Sequence, residues 1–413
     1  MAKTPEWKLS PESAMMSHGY DPALSEGAVV CPEFHTSTFT FQSAEDGEEC
    51  FSHPAQTSTL IYSRLNHPNA QIFEERLALW EDAEASVSFN SGMSAIFTLC
   101  LEFLNPGEAL LYSEPVYGGS DYVFKHLLPQ KLNILAVGFH QENFKEKVAW
   151  LAKQHPDRKV GMIFIETPAN PTNRLVDIEA CVKTAQQIAK QSQKKPLVVV
   201  DNTFLGPIFQ KPLRWGADIS VYSATKFLGG HSDVVAGACV GSQAHMERLR
   251  KLRIYLGTTL GPDAASRLLR SLQTLELRVT RQMTTANEVI AYLSTQPQIE
   301  KLYAMTLLKQ TDPQIQIYQK QCTGPGSVFA FDIHGGKQAA FRFLNALTVF
   351  KLAVSLGSTE SLAQHPYTMT HAGVSPEEKV QMGITESMIR LSIGVESPKD
   401  LIADLTQALS KSL

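Results

Sequence analysis

From about residue 63 to residue 255 the chain alternates helix-period stretches with short apolar runs. QIFEERLALWED (71–82) carries apolar side chains at helical spacing and predicts a helix. Ala85 to Phe89 then reads as a strand, and Ser91 opens a helix through SGMSAIFTLCLEFL. Further strands are predicted at ALLYS (109–113), LNILAVG (132–138), VGMIFIET (160–167), PLVVVDN (196–202), DISVYS (218–223) and GACVGS (237–242). Nearly continuous apolar strands separated by helices predict a parallel sheet covered on both faces. Ligands of such sheets bind beyond the carboxyl ends of the strands, where Ser91, Asp201 and Ser223 stand.

LGTTLGP (256–262) marks a boundary, followed by one long predicted helix from Asp263 to about Leu293. SVFAFDI (327–333) and MIRLSIG (388–394) are strands among further helices. Residues 1 to about 60 are weakly periodic and read as an extended arm. Its aromatic residues Phe34, Phe39, Phe41 and Phe51 favour packing on another subunit over a bare tail. The expected architecture is α/β, with an arm at 1–62, a large, mainly parallel-sheet domain at 63–262 and a smaller C-terminal α/β domain at 263–413.

Composition narrows the function classes. A chain of 413 residues, 43% hydrophobic, is too long for one small core. A net charge of −4 without a basic block argues against nucleic acid as a partner. Six scattered cysteines without metal-type pairing read as reduced thiols, so no metal site is expected and the expected location is cytoplasmic. The N-terminal MAKTPEWKLS lacks an apolar signal core, and no stretch is long enough to span a bilayer, so no membrane partner is expected.

The chemistry concentrates in DISVYSATKFLGGHS (218–232). Lys226 follows Ser223-Ala224-Thr225 and precedes Gly229-Gly230, a setting suited to a phosphorylated aldehyde: the amine can form an imine, the hydroxyls can bond phosphate and the glycines let the backbone approach. Its reference pKa of about 10.4 must fall for the amine to react. Asp201 ends the apolar run VVVD; paired with a protonated pyridine nitrogen at about 4 Å, it contributes roughly 4 kcal/mol at an effective dielectric of about 20. Together these residues point to pyridoxal 5'-phosphate (PLP). Thr203 can bond the ring oxygen or merely cap. Ser91, Gly92 and Met93 open a helix whose free amides suit a phosphate, with Ser223 and Thr225 as extra donors. Tyr62 and Arg64 can reach phosphate, Tyr117 can stack on a ring and move a proton, and Arg390, alone in an apolar strand, needs a partner such as a substrate carboxylate. The plainer readings are surface groups at Tyr62 and Arg64, a core tyrosine and an internal salt bridge.

These motifs resemble the Cys/Met-metabolism family of PLP enzymes, which includes cystathionine γ-synthase, cystathionine lyases, methionine γ-lyase and O-acylhomoserine sulfhydrylase. The resemblance runs from about Tyr62 to Val395 through YSR, SGM, YGG, the Asp201-to-Lys226 spacing, SLGSTESLAQHPYTMTH and RLSIG. It implies a fold-type I PLP-dependent transferase fold and a homotetramer of catalytic dimers. Lys226 and Tyr117 would be catalytic, and Asp201 would partner the ring. Gly92, Met93, Ser223 and Thr225 would hold phosphate, with Tyr62 and Arg64 reaching in from the neighbouring subunit. Arg390, assisted by Asn170 of PANPTN and the Ser355 backbone, would hold the substrate α-carboxylate.

Three positions bear on the reaction. Val354 stands where family members acting on cystathionine commonly have glutamate, and so favours an uncharged thioether or an ester. Gly119 stands where methionine γ-lyases often carry cysteine. YSRLNHPNA departs from the usual YSR-x-x-NPT and leaves Asn66 and His67 without a role. The expected activity is γ-elimination on a homoserine-derived amino acid, with γ-replacement as cystathionine γ-synthase or O-acylhomoserine sulfhydrylase the alternative. A non-catalytic α/β protein binding a phosphate ligand is the rival from another class, and a dinucleotide dehydrogenase lacks its GxGxxG.

Overall fold

The computed structural model describes residues 7–52 and 60–412. Seven strands form the larger sheet: β1 (Ala85–Phe89), β2 (Ala109–Ser113), β3 (Leu135–Phe139), β4 (Val160–Glu166), β5 (Leu197–Asp201), β6 (Ile219–Tyr222) and β7 (Gly237–Gly241). Their order is β1-β7-β6-β5-β4-β2-β3. β1, β2, β4, β6 and β7 are buried along their whole length, which is why their sequences run apolar without alternation. Six strands run in one direction. β7 is the exception to the parallel expectation, lying antiparallel between β1 and β6.

Helices cover both faces. Gly92–Phe103 and Gln243–Leu256 send Leu99, Cys100, Phe103, Met246 and Leu249 against one side of the sheet. Phe144–Gln154 and Ile178–Ser192 send Phe144, Leu151, Cys181 and Ala185 against the other. The smaller sheet has the order β10-β11-β12-β9-β8, made of β8 (Ile299–Tyr303), β9 (Val328–Ile333), β10 (Lys351–Leu352), β11 (Leu362–Gln364) and β12 (Met388–Ser392). Among the described residues no helix is long and apolar enough to cross a membrane. All six cysteines are unpaired, and five are buried.

The long helix expected from Asp263 is two, Pro262–Leu272 and Leu275–Leu293. The break at Gln273-Thr274 has a tertiary cause. The buried Arg278 guanidinium donates to the Ser271 carbonyl at the end of the first helix (2.9 Å) and to the Phe227 carbonyl beside Lys226 (3.1 Å). It satisfies carbonyls that a helix end leaves open. The interruption therefore braces the lysine turn.

Of the expected arm, residues 1–6 and 53–59 lie outside the described residues. The rest is less extended than expected, with a nine-residue helix at Ala44–Ser52. It is fastened to its own chain. Phe34 N donates to Asn69 Oδ1 (3.1 Å), His67 Nε2 meets the Phe34 carbonyl (2.7 Å), and Arg76 Nε donates to the His18 carbonyl (2.9 Å). The departure at Asn66-His67 thus has structural partners: His67 is buried against the arm, and Asn66 accepts from Ile61 N (3.3 Å).

Candidate active site

The carboxyl ends of β4, β5 and β6 deliver Glu166, Asp201 and Ser223 side by side, since Glu166 pairs with Asp201 and Asp201 with Val221 in the strand register. Thr203 joins two of these ends: its amide donates to Asp201 Oδ1 (3.1 Å), and its Oγ1 accepts from Ser223 N (2.9 Å). Asp201 and Glu166 are both buried. Burial raises both carboxyls, Glu166 to about 8, with the adjacent Asp201 charge as its second cause.

Lys226 sits in the turn after β6. Its Nζ donates to Ser355 Oγ at 2.8 Å. Burial first, then the positive charge of Arg390, lowers its ammonium pKa to about 8. About a tenth of the amine is then uncharged at pH 7, against less than a thousandth for an ordinary lysine. Ser355 has a φ of +94°, strained for a residue with a side chain. That backbone turns its hydroxyl to the amine and its carbonyl to Arg390, which donates to it through Nη2.

Arg390 lies on β12 and is only 2% exposed. Its Nη1 donates to Asn170 Oδ1 at 3.1 Å. With the Gln364 amide oriented by its neighbours, Gln364 oxygen accepts from Nη1 at 2.9 Å. Among the described residues no carboxylate pairs with this guanidinium, and burial pulls its pKa down to about 9. A buried cation held only by neutral acceptors is a receptor for an anion that arrives with a ligand.

The helix Gly92–Phe103 begins beside Ser223, just after β6. A side chain at position 92 would come within 2.9 Å of Ser223 Cβ, so glycine keeps open the gap between the helix amides and that hydroxyl. Ser91 Oγ is engaged in a capping box with Ser94, accepting from Ser94 N at 3.1 Å. Thr225 Oγ1 accepts from Ala236 N at 3.0 Å and donates to the Ala236 carbonyl at 3.2 Å. Tyr117 is 48% exposed, and its backbone amide donates to Glu166 Oε2 at 2.7 Å. A Cβ at Gly119 would lie 2.7 Å from the Tyr117 ring and 2.9 Å from Met93 Sδ, so the second glycine of YGG fits between them.

One set of contacts thus links Lys226, Ser355, Arg390, Asn170, Glu166 and Tyr117, and another links Asp201, Thr203 and Ser223. Tyr62 and Arg64 stand apart from both. Tyr62 bridges Thr38, and Arg64 lies 5.6 Å over the Tyr62 ring and donates to the Ile254 carbonyl at 3.0 Å. Glu166 and Gln364 were not singled out in the sequence. An acid closing an apolar strand one register position from Asp201 was the available signal for Glu166. Gln364, inside SLAQHP, gave none.

The donor set fits PLP. It offers an amine of lowered pKa, a buried carboxyl for the ring nitrogen, and helix-end amides beside two hydroxyls for the phosphate. Comparisons with known proteins agree. A family profile described as Cys/Met metabolism PLP-dependent enzyme matches residues 12–410. The L-methionine gamma-lyase of Pseudomonas putida is 39% identical over 96% of each chain. The O-succinylhomoserine sulfhydrylase of Pseudomonas aeruginosa is 33% identical over 91% of this chain and 90% of the relative. The structure of cystathionine gamma synthase from Xanthomonas oryzae pv. oryzae in complex with aminoacrylate and cysteine superposes with a TM-score of 0.88 at 32% identity, covering 98% of this chain and 99% of that one.

Proposed function

The chain belongs to the Cys/Met metabolism family of PLP-dependent enzymes, which act as carbon–sulfur lyases and γ-synthases, and from that premise we propose that it catalyses γ-elimination on a homoserine-derived L-amino acid, with methionine the leading substrate. One observation carries this choice. Val354 and Val235 are both exposed and line a cavity of about 650 Å³ that opens beside Thr225 and Ser355. Of the cavity's acids Asp233 is paired with Arg267 (3.5 Å), and the Lys351 cation on the same lining repels a distal ammonium. An uncharged thioether suits this lining better than a distal ammonium.

The residues divide the work as follows. Arg390, Asn170 and the Ser355 backbone hold the substrate α-carboxylate. Asp201, helped by Thr203, keeps the proton on the ring nitrogen. Ser91, Gly92, Met93, Ser223 and Thr225 receive the phosphate, completed by Tyr62 and Arg64 of a neighbouring copy in a homotetramer of catalytic dimers. PLP supplies a covalent handle for the substrate amine and an electron sink for charge developing at Cα. Lys226 Nζ removes the Cα proton, and its lowered pKa matches a base working near neutral pH. Loss of a second proton, from Cβ, lets the γ-sulfur leave, and Tyr117 or Lys226 would return a proton to it. Methionine and one water would yield methanethiol, 2-oxobutanoate and ammonia.

γ-Replacement on an O-acylhomoserine is the second reading. Lys351 lines the same cavity, and its ammonium would suit the carboxylate of a succinyl leaving group. Purified holoenzyme should be incubated with methionine, with cystathionine, and with O-acylhomoserine plus cysteine or sulfide. Keto acid released from methionine at a rate above that of the other substrates is expected. Absence of keto acid from methionine, with a new thioether from the activated homoserine, would replace the lyase assignment by the synthase one.

A further inference from the structure

We infer that Glu166 is a positioning residue whose single carboxyl group locks the aromatic cover of the site to the substrate-carboxylate clamp and holds the proton that leaves Asp201 the ionised member of the pair. The inference rests on the roles proposed above for Tyr117, Asn170 and Asp201. Its two oxygens hold different loops. Oε2 accepts from the Tyr117 amide (2.7 Å), and Oε1 accepts from the Asn170 amide (3.1 Å). Asn170 in turn accepts from Arg390. The rigid end of β4 therefore sets where the tyrosine ring stands relative to the guanidinium. Ser113 Oγ accepts from the Glu166 amide at 2.8 Å and fixes that strand end.

The electrostatic half follows from the register. Glu166 and Asp201 are paired positions of adjacent strands and so present side chains on one face. Two carboxyls buried together cannot both ionise at ordinary cost, so charge on one raises the other. The groups facing them are few. Cys239 on β7 lies near Asp201, and Glu114, His140, Glu142 and Arg174 line a small cavity on the far side of Glu166. If Asp201 is to remain the anion, Glu166 is the group that carries the proton.

Glu166→Gln separates these ideas from a merely structural role. The amide is neutral, like the protonated carboxyl, and keeps one acceptor oxygen, but it turns a donor toward the second backbone N–H. Two readouts are needed. One is the acid-side midpoint of the cofactor's absorbance in the holoenzyme, which follows loss of the Asp201 charge and requires no turnover. The other is the binding of glycine, read as a shift of the same band. For E166Q the acid midpoint should stay within about 0.3 pH unit of wild type, since no charge is lost, and glycine should bind about tenfold more weakly because the clamp is displaced. Glu166→Asp, which keeps a titratable carboxyl but cannot reach both loops, should weaken glycine similarly. Wild-type glycine affinity in E166Q, or an acid midpoint that falls by about half a pH unit or more in it, would overturn the inference. Should E166Q fail to fold, glycine binding by E166D decides, and wild-type affinity there refutes the positioning role. Neither readout depends on which amino acid the enzyme turns over, so failure of the methionine assignment would leave this test intact.

Discussion

Lys226→Ala is expected to lower kcat on the best substrate by about 10⁴-fold while the protein stays folded, because the variant loses both the covalent anchor and the positioned base. The structure gives the reason for both parts. Among the described residues Lys226 Nζ has one hydrogen-bond partner, Ser355 Oγ, and it is otherwise partly buried at a cost that lowers its pKa to about 8. Alanine removes that desolvated amine without opening a large apolar core, so the thermal midpoint should move little. PLP should still bind through the phosphate and ring contacts, though without the covalent link. Steady-state kinetics, thermal unfolding and the visible spectrum check the three parts together. Added small primary amines should restore part of the rate, since they replace the missing base and not a missing fold. A variant retaining more than a tenth of the wild-type rate would remove Lys226 from the chemistry.

Arg390→Leu should lower kcat/KM for amino-acid substrates by about 10³-fold, equivalent to about 4 kcal/mol, the cost of truncating one partner of a desolvated charge pair. Arg390 is 2% exposed and, among the described residues, meets only neutral acceptors: Asn170, the Ser355 carbonyl and Gln364. Its charge is therefore available to the incoming carboxylate. The loss should fall mainly on KM, with the cofactor's absorbance unchanged. Leucine relieves a buried charge but leaves those acceptors without a donor, and the opposing effects should keep the unfolding midpoint near wild type. The amine analogue of methionine, which lacks the carboxylate, should bind wild type and R390L equally. A preference of wild type for that analogue would show that the arginine serves the fold and not the substrate.

The larger sheet was legible because most of its strands are buried on both faces, and burial leaves an apolar run in the sequence. The direction of β7 was not legible, since GACVGS is equally apolar whichever way it runs. The break between the helices after Pro262 was hidden for a different reason. Gln273 and Thr274 are acceptable helix residues, and the interruption is made by Arg278, which is in the same helical pattern as its neighbours. The helix at Ala44–Ser52 was missed because it is short and mostly polar, with only Cys50 buried.

The site shows the same division. Lys226 stood out through the residues around it, and Arg390 through being the one charge in an apolar strand. Glu166 did not, because an acid after VGMIFI reads as the polar end of a strand until Asp201 is seen beside it. Gln364 and the strained Ser355 backbone are tertiary facts about Arg390 and Lys226, with no local pattern to reveal them.

The direct test is to reduce the holoenzyme with borohydride, digest it and locate the pyridoxyl mass. A single modified lysine per chain, Lys226 in the DISVYSATK segment, is the predicted result. A stoichiometric label on any other lysine, or none on a protein that retains its full complement of PLP, would contradict it.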